Sequence, residues 1–326
     1  MNLRLVKIFL PLEKKTEADE ILRKASVDEF WHDRISDKKI LIRALVAGAK
    51  VEGLLDAMEE EFAKIEDFRV VILPVEASIP RNEEKTPKQE DEKTSERISR
   101  EELYSAVSAN SKLTVTYLVL VILASIVGAV GMVGGNVPMI VGAMIIAPLL
   151  GPAVGLSLGT ILGDFKLTWE ALKTMLVGIV AALVFSTIIG MIFPVDPHTP
   201  EIAMRTGAGL GDVFVSLASG SVGALAFTTG TLTSLAGVMV AVSLLPPLIA
   251  VGMLLGAGLT DYMIGALLLL VVNLICVNLA AVLTFMVQRI SPRTQWQTFK
   301  AWVLTGLALL VWFLLLIGAV VLILTH

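Results

Sequence analysis

The 326-residue chain is 55% hydrophobic with a formal net charge of -4, and its mean hydropathy of +0.79 is too high for an ordinary soluble domain. The charges are segregated: residues 1–112 hold 20 of the 26 Lys and Arg and 24 of the 30 Asp and Glu, which leaves 12 for the last 214 positions. That is a soluble head followed by a membrane body, and because the two signs are interspersed in the head it has neither a basic nucleic-acid face nor a polybasic lipid-binding cluster.

The N-terminal stretch MNLRLVKIFLP reaches Pro11 after a short apolar run, so it does not read as a signal peptide, and the head is expected to stay in the cytoplasm. Leu3 to Leu10 has the residue types of a strand. Thr16 to Ala25 places Ala18, Ile21 and Leu22 at helical spacing. Val27 to Ile35 fits neither class cleanly, whereas Lys39 to Val46 is a strand preceded by a turn at Ser36 and Asp37. Val51 to Ile65 sets Leu54, Leu55, Met58, Phe62 and Ile65 on one helical face, and Phe68 to Val75 is a final strand. The order strand, helix, strand, strand, helix, strand predicts a small α+β, ferredoxin-like domain over residues 1–76. It holds no Gly-rich phosphate loop and no metal-ligand cluster, and His32 reads as an exposed or capping residue. No cofactor is expected.

Residues 77–98 form a charged tether with Pro80 and Pro87 and no apolar period. Ser99 and Glu102 make a capping-box pattern, so an amphipathic helix is expected over 99–112. The transmembrane domain then runs over 113–326. A span needs about 20 apolar residues, and seven segments qualify: Leu113 to Val133, Val137 to Leu162, Leu167 to Phe193, Val213 to Thr229, Leu235 to Leu255, Tyr262 to Val287 and Ala301 to Leu324. With the N-terminus inside, Lys112, Lys166, Lys173, Arg289, Arg293 and Lys300 fall on the cytoplasmic side and only Arg205 falls outside. The expected location is the cytoplasmic (inner) membrane, with the C-terminus outside. Cys276 lies alone in an apolar run and reads as a small core residue.

The second span contains GAMIIAPLLGPAVGLSLGTILGD, Gly142 to Asp164, and 95 residues on GVMVAVSLLPP, Gly237 to Pro247, repeats its outline. Gly142, Met144, Leu149, Leu150 and Pro152 meet Gly237, Met239, Leu244, Leu245 and Pro247; a further two-residue shift lays Asp164 over Asp261. Gly128, Ala129 and Gly135 likewise meet Gly223, Ala224 and Gly230. Three spans per unit force opposite orientations, which predicts an inverted repeat, 113–193 and 212–287, plus a final span at 301–324. The string GAMIIAPLLGPAVGLSLGTILGDF, preceded by REELYSAVSANSKLTVTYLVLV and followed by the Leu-Leu-Pro-Pro segment, resembles the hydrophobic membrane-protein family catalogued as domain of unknown function 389, over roughly residues 99–290. That label assigns no activity, so the resemblance implies a fold and leaves the chemistry to the residues.

Pro148, Pro152, Pro246 and Pro247 each remove a backbone donor inside a span. The freed carbonyls need protein, water or an ion, so the functional reading is two facing elbows that bind a ligand with Gly151, Ser243 and Asn273. The structural reading is a pair of kinks that help helices pack. Gly151, Gly155, Gly159 and Gly163 form a small-residue stripe for close packing, within the protomer or between protomers of a homo-oligomer. Asp164, Asp212 and Asp261 are candidates for ion or proton coupling, with helix caps as the plainer role. Asn273 and Asn278 are deep enough to need partners, and Ser219, Ser221, Thr228, Thr229 and Ser243 could line one cavity. GLGD at Gly209 to Asp212 resembles a motif of intramembrane aspartyl proteases, but that chemistry needs two carboxylates sharing a proton, and the upstream Tyr-Asp pair is missing.

These features predict an α-helical polytopic membrane protein that moves a small solute or ion through membrane lipid, with a head that regulates or assembles it and no role for metal or nucleic acid. A non-transporting scaffold or sensor is the alternative, and the protease a remote one.

Overall fold

The computed structural model describes residues 3–27, 29–75, 98–230 and 233–290, with short pieces between 306 and 318. It divides into two compact units, Met1–Leu103 and Tyr104–His326.

The first unit is a small α+β domain. Strands β1 (Leu3–Pro11), β2 (Phe30–Arg34), β3 (Lys39–Ala47) and β4 (Arg69–Pro74) form one antiparallel sheet in the order β2-β3-β1-β4. Alternation in β1 turns Val6, Ile8 and Leu10 inward. There they meet Ala18 and Leu22 of α1 (Lys15–Lys24) and Leu54, Met58 and Phe62 of α2 (Gly48–Phe62). Each fully buried large side chain of this set contributes about 1.5–3 kcal/mol. The ambiguous stretch after Val27 supplies the edge strand β2, and His32 on it meets Asp19 of α1, with Nε2 and Oδ1 2.7 Å apart. A carboxylate partner from another element thus replaces the exposed or capping role expected for this histidine.

Helix α3 (Arg100–Asn110) starts with the expected capping box: Ser99 N donates to Glu102 Oε2 at 3.0 Å and Glu102 N to Ser99 Oγ at 3.2 Å. Glu102 also holds Arg4 of β1, which donates through Nε at 2.8 Å. The charged tether at 77–97 lies outside the described residues.

The second unit is helical: α4 (Val115–Val133), α5 (Val137–Ile146), α6 (Leu150–Leu162), α7 (Phe165–Ile192), the short α8 (Pro200–Ala203), α9 (Leu210–Thr229), α10 (Thr233–Gly256) and α11 (Thr260–Val287). Five of these are long and apolar enough to cross a membrane, and α5 with α6, bent by 50°, makes up to a sixth span. The seventh expected span falls mostly outside the described residues; within it Leu316 packs on Val213, Val272 and Cys276.

Helix limits recur with a constant offset. Helices α4 and α9 begin at 115 and 210, and α7 and α11 cover 165–192 and 260–287, in each case 95 residues apart. Among the described residues four glycines are left-handed, and they obey the same spacing: Gly135 with Gly230, and Gly163 with Gly258. A positive φ at each stops one helix and redirects the chain, which only glycine does without strain. Packing is reciprocal as well. Helix α6 lies on α11, and α10 lies on α7. Backbones come very close at these contacts and within each set of three, for example Gly190 on Met253 and Gly220 on Val277, where a side chain would not fit.

The two middle segments differ. Pro148 pushes Ala147 out of the helical region, to ψ 117, and the helix breaks there. Pro152 then falls third in α6, where its missing N–H has no intrahelical acceptor in any case. The second middle segment is one continuous helix with Pro246 and Pro247 inside it, because Ser243 stands where Pro148 stands in the first. The expectation of two unwound elbows is corrected to one break and one uninterrupted, proline-containing helix.

Candidate functional site

Pro247 cannot donate to the Ser243 carbonyl one turn earlier, and Pro246 cannot donate to that of Val242. The first deficit is met by a side chain: Asn273, halfway along α11, donates from Nδ2 to Ser243 O at 2.7 Å. A carbonyl accepts and cannot give, so this contact fixes the orientation of the amide. Its Oδ1 is therefore an acceptor aimed elsewhere, buried and without a protein partner. The Ser243 hydroxyl continues the network, donating to Ser219 Oγ at 3.0 Å, while Ser219 donates to Val215 O at 2.8 Å.

Beside this network lies a cavity of about 200 Å³ whose polar lining comes from Arg205, Asp212, Ser216, Ser243 and Asn273. Met204, Val215, Val242, Pro247 and Leu269 complete its walls. Ser216 Oγ, like Asn273 Oδ1, is buried without a partner; the two residues are 1% and 4% exposed. Orphaned polar atoms in a protein interior carry a penalty of about 1–3 kcal/mol each.

Arg205 arrives from the loop that follows α7. That loop folds against the bundle: Ile202 is fully buried, the Thr206 carbonyl sits on Gly265 of α11, and the His198 ring meets Tyr262 edge-on at 6.0 Å. Arg205 Nη1 donates to Glu201 O at 2.9 Å. Burial pulls its pKa below the ordinary guanidinium value, and the nearby Asp212 and Glu201 partly restore it. Among the described residues neither carboxylate approaches within ion-pair distance of the guanidinium. Asp212 lies in the first turn of α9 and accepts from Gly209 N at 2.9 Å through Oδ2. No hydrogen bond among the described residues joins it to a second carboxylate, so the dyad of an aspartyl protease is not formed there.

The remaining expected site residues have other placements. Gly151 and Pro152 are buried and Pro148 half-buried, but none of them lines the cavity, so the two proline segments do not share it. Gly151 packs on the backbone of Asn110, Gly155 on Ser111 and Gly159 on Thr168, which makes the small-residue stripe a seat for elements of the same chain. Ser111 Oγ donates to Gly151 O at 3.0 Å. Gly163 takes its left-handed turn to end α6.

Asp164 caps α7, accepting from Lys166 N and Leu167 N through Oδ1, and its Oδ2 accepts from Tyr104 OH at 2.7 Å. That hydrogen bond, with burial behind it, pushes the Tyr104 phenol up to about 12. Asp261 is exposed in the first turn of α11, two positions beyond its cap Leu259, so the two-residue shift that paired it with Asp164 has no counterpart in the helix geometry. Asn278 takes the plain structural role: Ser157 Oγ of α6 lies 3.2 Å from its Oδ1, and its Nδ2 donates to Leu274 O. Thr228 and Thr229 bond their own helix.

Sequence reasoning placed Ser243, Pro247, Asn273 and Asp212 at candidate sites but passed over Ser216 and used Arg205 only to orient the chain. The available signal was that Arg205 is the one Lys or Arg between Lys173 and Arg289, in a loop between apolar spans.

A relative from Methanocaldococcus jannaschii, an uncharacterized protein, is 33% identical over 328 residues and is covered end to end, as is this chain. No solved structure matches. The family described as domain of unknown function (DUF389) matches residues 144–279, which hold α6 to α10 and most of α11. The chain belongs to this family.

Proposed function

We propose that the protein is a membrane transporter or channel for a small solute or ion, built from two inverted copies of a three-span unit, and that its ligand occupies the cavity beside Pro246 and Pro247. The constant offset of 95 in helix limits and left-handed glycines supports the two copies. So does the reciprocal packing of each middle element on the third helix of the other copy. Three spans per copy invert the second relative to the first, an arrangement in which sites form near the middle of the membrane on proline-interrupted helices. The excess of Lys and Arg on one side favours a cytoplasmic N-terminus in the inner membrane, where the ferredoxin-like head regulates or assembles the body.

The single observation that carries this reading is a cavity beside the proline-containing helix α10 whose lining includes Arg205, Asp212, Ser216 and Asn273, the last two each with a buried side-chain oxygen that has no protein partner. The experiment is flux into liposomes reconstituted with the full chain, using a panel of ions and small solutes. Wild-type protein should move at least one of them, and Ser216→Ala or Asn273→Ala should lower that flux at least about tenfold. Tight vesicles holding folded wild-type protein that pass none of the panel would count against transport.

A further inference from the structure

Helix α2 of the head has three sides, and two of them are engaged. Leu54, Met58 and Phe62 face the core, and Asp56 accepts from Arg100 Nη2 at 3.1 Å. The third side carries Lys50, Gly53, Ala57, Glu60 and Glu61, whose spacing keeps them on one stripe of the helix. With Ile21 and Lys24 of α1 this stripe walls an open groove of about 590 Å³. Charge is divided along it. Lys50 Nζ donates at 3.0 Å to Ser26 O, just past the end of α1, which puts Lys50 and Lys24 at one end. Glu60 and Glu61 come about 15 Å further along α2. Gly53, Ala57 and Ile21 make the stretch between apolar. A Cβ added at Gly53 would meet nothing within 4 Å, so the middle of the groove is open. Lys14 is held by Glu17 at 2.7 Å and does not line the groove.

We infer that a second copy of this chain docks in the groove, α2 against α2 of its partner, antiparallel about a two-fold axis. The spacing of the stripe is self-complementary. Lys50 and Glu60 stand five positions either side of Leu55, and Gly53 and Ala57 stand two either side. One axis at the level of Leu55 therefore sets Lys50 against the partner's Glu60 and Gly53 against the partner's Ala57, and each pair occurs twice. The lysine end of each groove meets the glutamate end of the other. Two small residues at the centre let the helix axes approach to about 8–10 Å. Size favours a second copy over a soluble partner. Two helices about 10 Å apart, the longer of 15 residues, present a face of roughly 400 Å². That is about half of the 800 Å² or so that each partner contributes to a stable interface. A contact this small persists between chains held in one membrane, where effective concentration is high, and the apolar helices of the body supply that attachment.

The inference rests on the assembling role proposed for the head and not on transport, so association and flux are measured on the same vesicles. Two differently tagged full-length chains, one Gly53→Cys and the other Ala57→Cys, both in a Cys276→Ser background that removes the native thiol, are reconstituted together. The liposomes hold excess lipid, which dilutes chance encounters, and are then oxidised. A disulfide requires Cβ atoms about 3.5–4.5 Å apart. The mixed cross-link from 53 to 57 should form at least about tenfold faster than cross-links from 53 to 53 or from 57 to 57. Lys50→Glu in both chains should slow it at least about tenfold. Adding Glu60→Lys exchanges the charges across the axis and should recover most of the rate. These positions are exposed in the single chain, so the melting temperature should match the parent's throughout. Absence of the mixed cross-link, or a rate no faster than that of the like pairs, would overturn the antiparallel docking. Indifference to Lys50→Glu, or failure of the exchanged pair to recover, would overturn it too. Cross-linking without flux would keep the interface and remove the transport reading, and flux without cross-linking would do the reverse.

Discussion

The two halves of the membrane body share helix limits and turn glycines, yet the polar cavity at Arg205, Asp212, Ser216, Ser243 and Asn273 is lined entirely by residues of the second half and of the loop that leads into it. Counting 95 residues back from Asp212, Ser216 and Asn273 gives Tyr117, Val121 and Gly178. In the first half the Tyr117 side chain fills this space, its hydroxyl packed on Gly178 where any side chain would clash. Tyr117 and Val121 are buried, so a phenol ring and methyl groups stand where Asp212 and Ser216 stand in the second half, and the Tyr117 hydroxyl has no hydrogen-bond partner among the described residues. The difference shows how two stretches with the same helix spacing can diverge at one place: in the first the Tyr117 side chain packs on Gly178, and in the second the residues 95 positions on line a cavity.

The comparison can be broken by exchanging the residues that differ. Gly178→Asn, which puts the second half's residue into the first, forces an amide against Tyr117 and should lower stability by about 1–3 kcal/mol. Thermal unfolding in detergent measures it, and combining it with Tyr117→Ala should destabilise by less than the two changes taken separately. Asn273→Gly, the opposite exchange, strips the Ser243 carbonyl of its donor. It should cost about 1–2 kcal/mol in the same assay and abolish flux, whereas Ser216→Ala should leave the melting temperature unchanged and still reduce flux.

Smaller effects sharpen the same contrast. Asp164 caps α7 and holds Tyr104, whereas Leu259 at the matching position of α11 offers no side-chain cap. Asp164→Ala should cost about 1 kcal/mol, and Leu259→Ala should not show this loss. The Tyr104 phenol, raised from its ordinary value of 10 to about 12, must keep its proton to donate. Its contribution is complete below pH 10 and is lost as pH rises through 12, so Tyr104→Phe should flatten stability over that alkaline window. Smallest of all, Pro152→Ala should change stability by under about 0.5 kcal/mol, since the third helical position has no N–H bond to regain. Pro247→Ala restores a donor that competes with Asn273 for the Ser243 carbonyl, and it should impair flux.

Much of this architecture is legible in residue order. Alternation in Leu3–Leu10 and the helical spacing of Leu54, Met58 and Phe62 follow from burying one face of each element, and both reappear in the core. Limits of the six expected spans that fall on the described residues agree within a few residues, because uninterrupted apolar runs leave few alternatives. The site was harder. Matching Pro152 with Pro247 drew attention to the likeness of the two middle segments, but the decisive difference is Pro148 against Ser243, since a proline there ends the helix and a serine does not. Aligning Asp164 with Asp261 followed residue identity; the turn itself is set by Gly163 and Gly258, which keep the spacing of 95. Ser216 was invisible because a hydroxyl in an apolar helix usually bonds its own backbone, and only packing shows that this one does not.

The central claim is that the second half holds an accessible polar cavity where the first half is sealed. Cysteine labelling tests it directly in a Cys276→Ser background, which removes the native buried thiol. Ser216→Cys and Val121→Cys place a thiol at matching positions of the two halves, and each is exposed to a small, water-soluble, thiol-reactive cation in reconstituted membranes. The account predicts that the thiol at 216 reacts and the thiol at 121 does not. Equal reactivity at both positions, or none at 216, would contradict it.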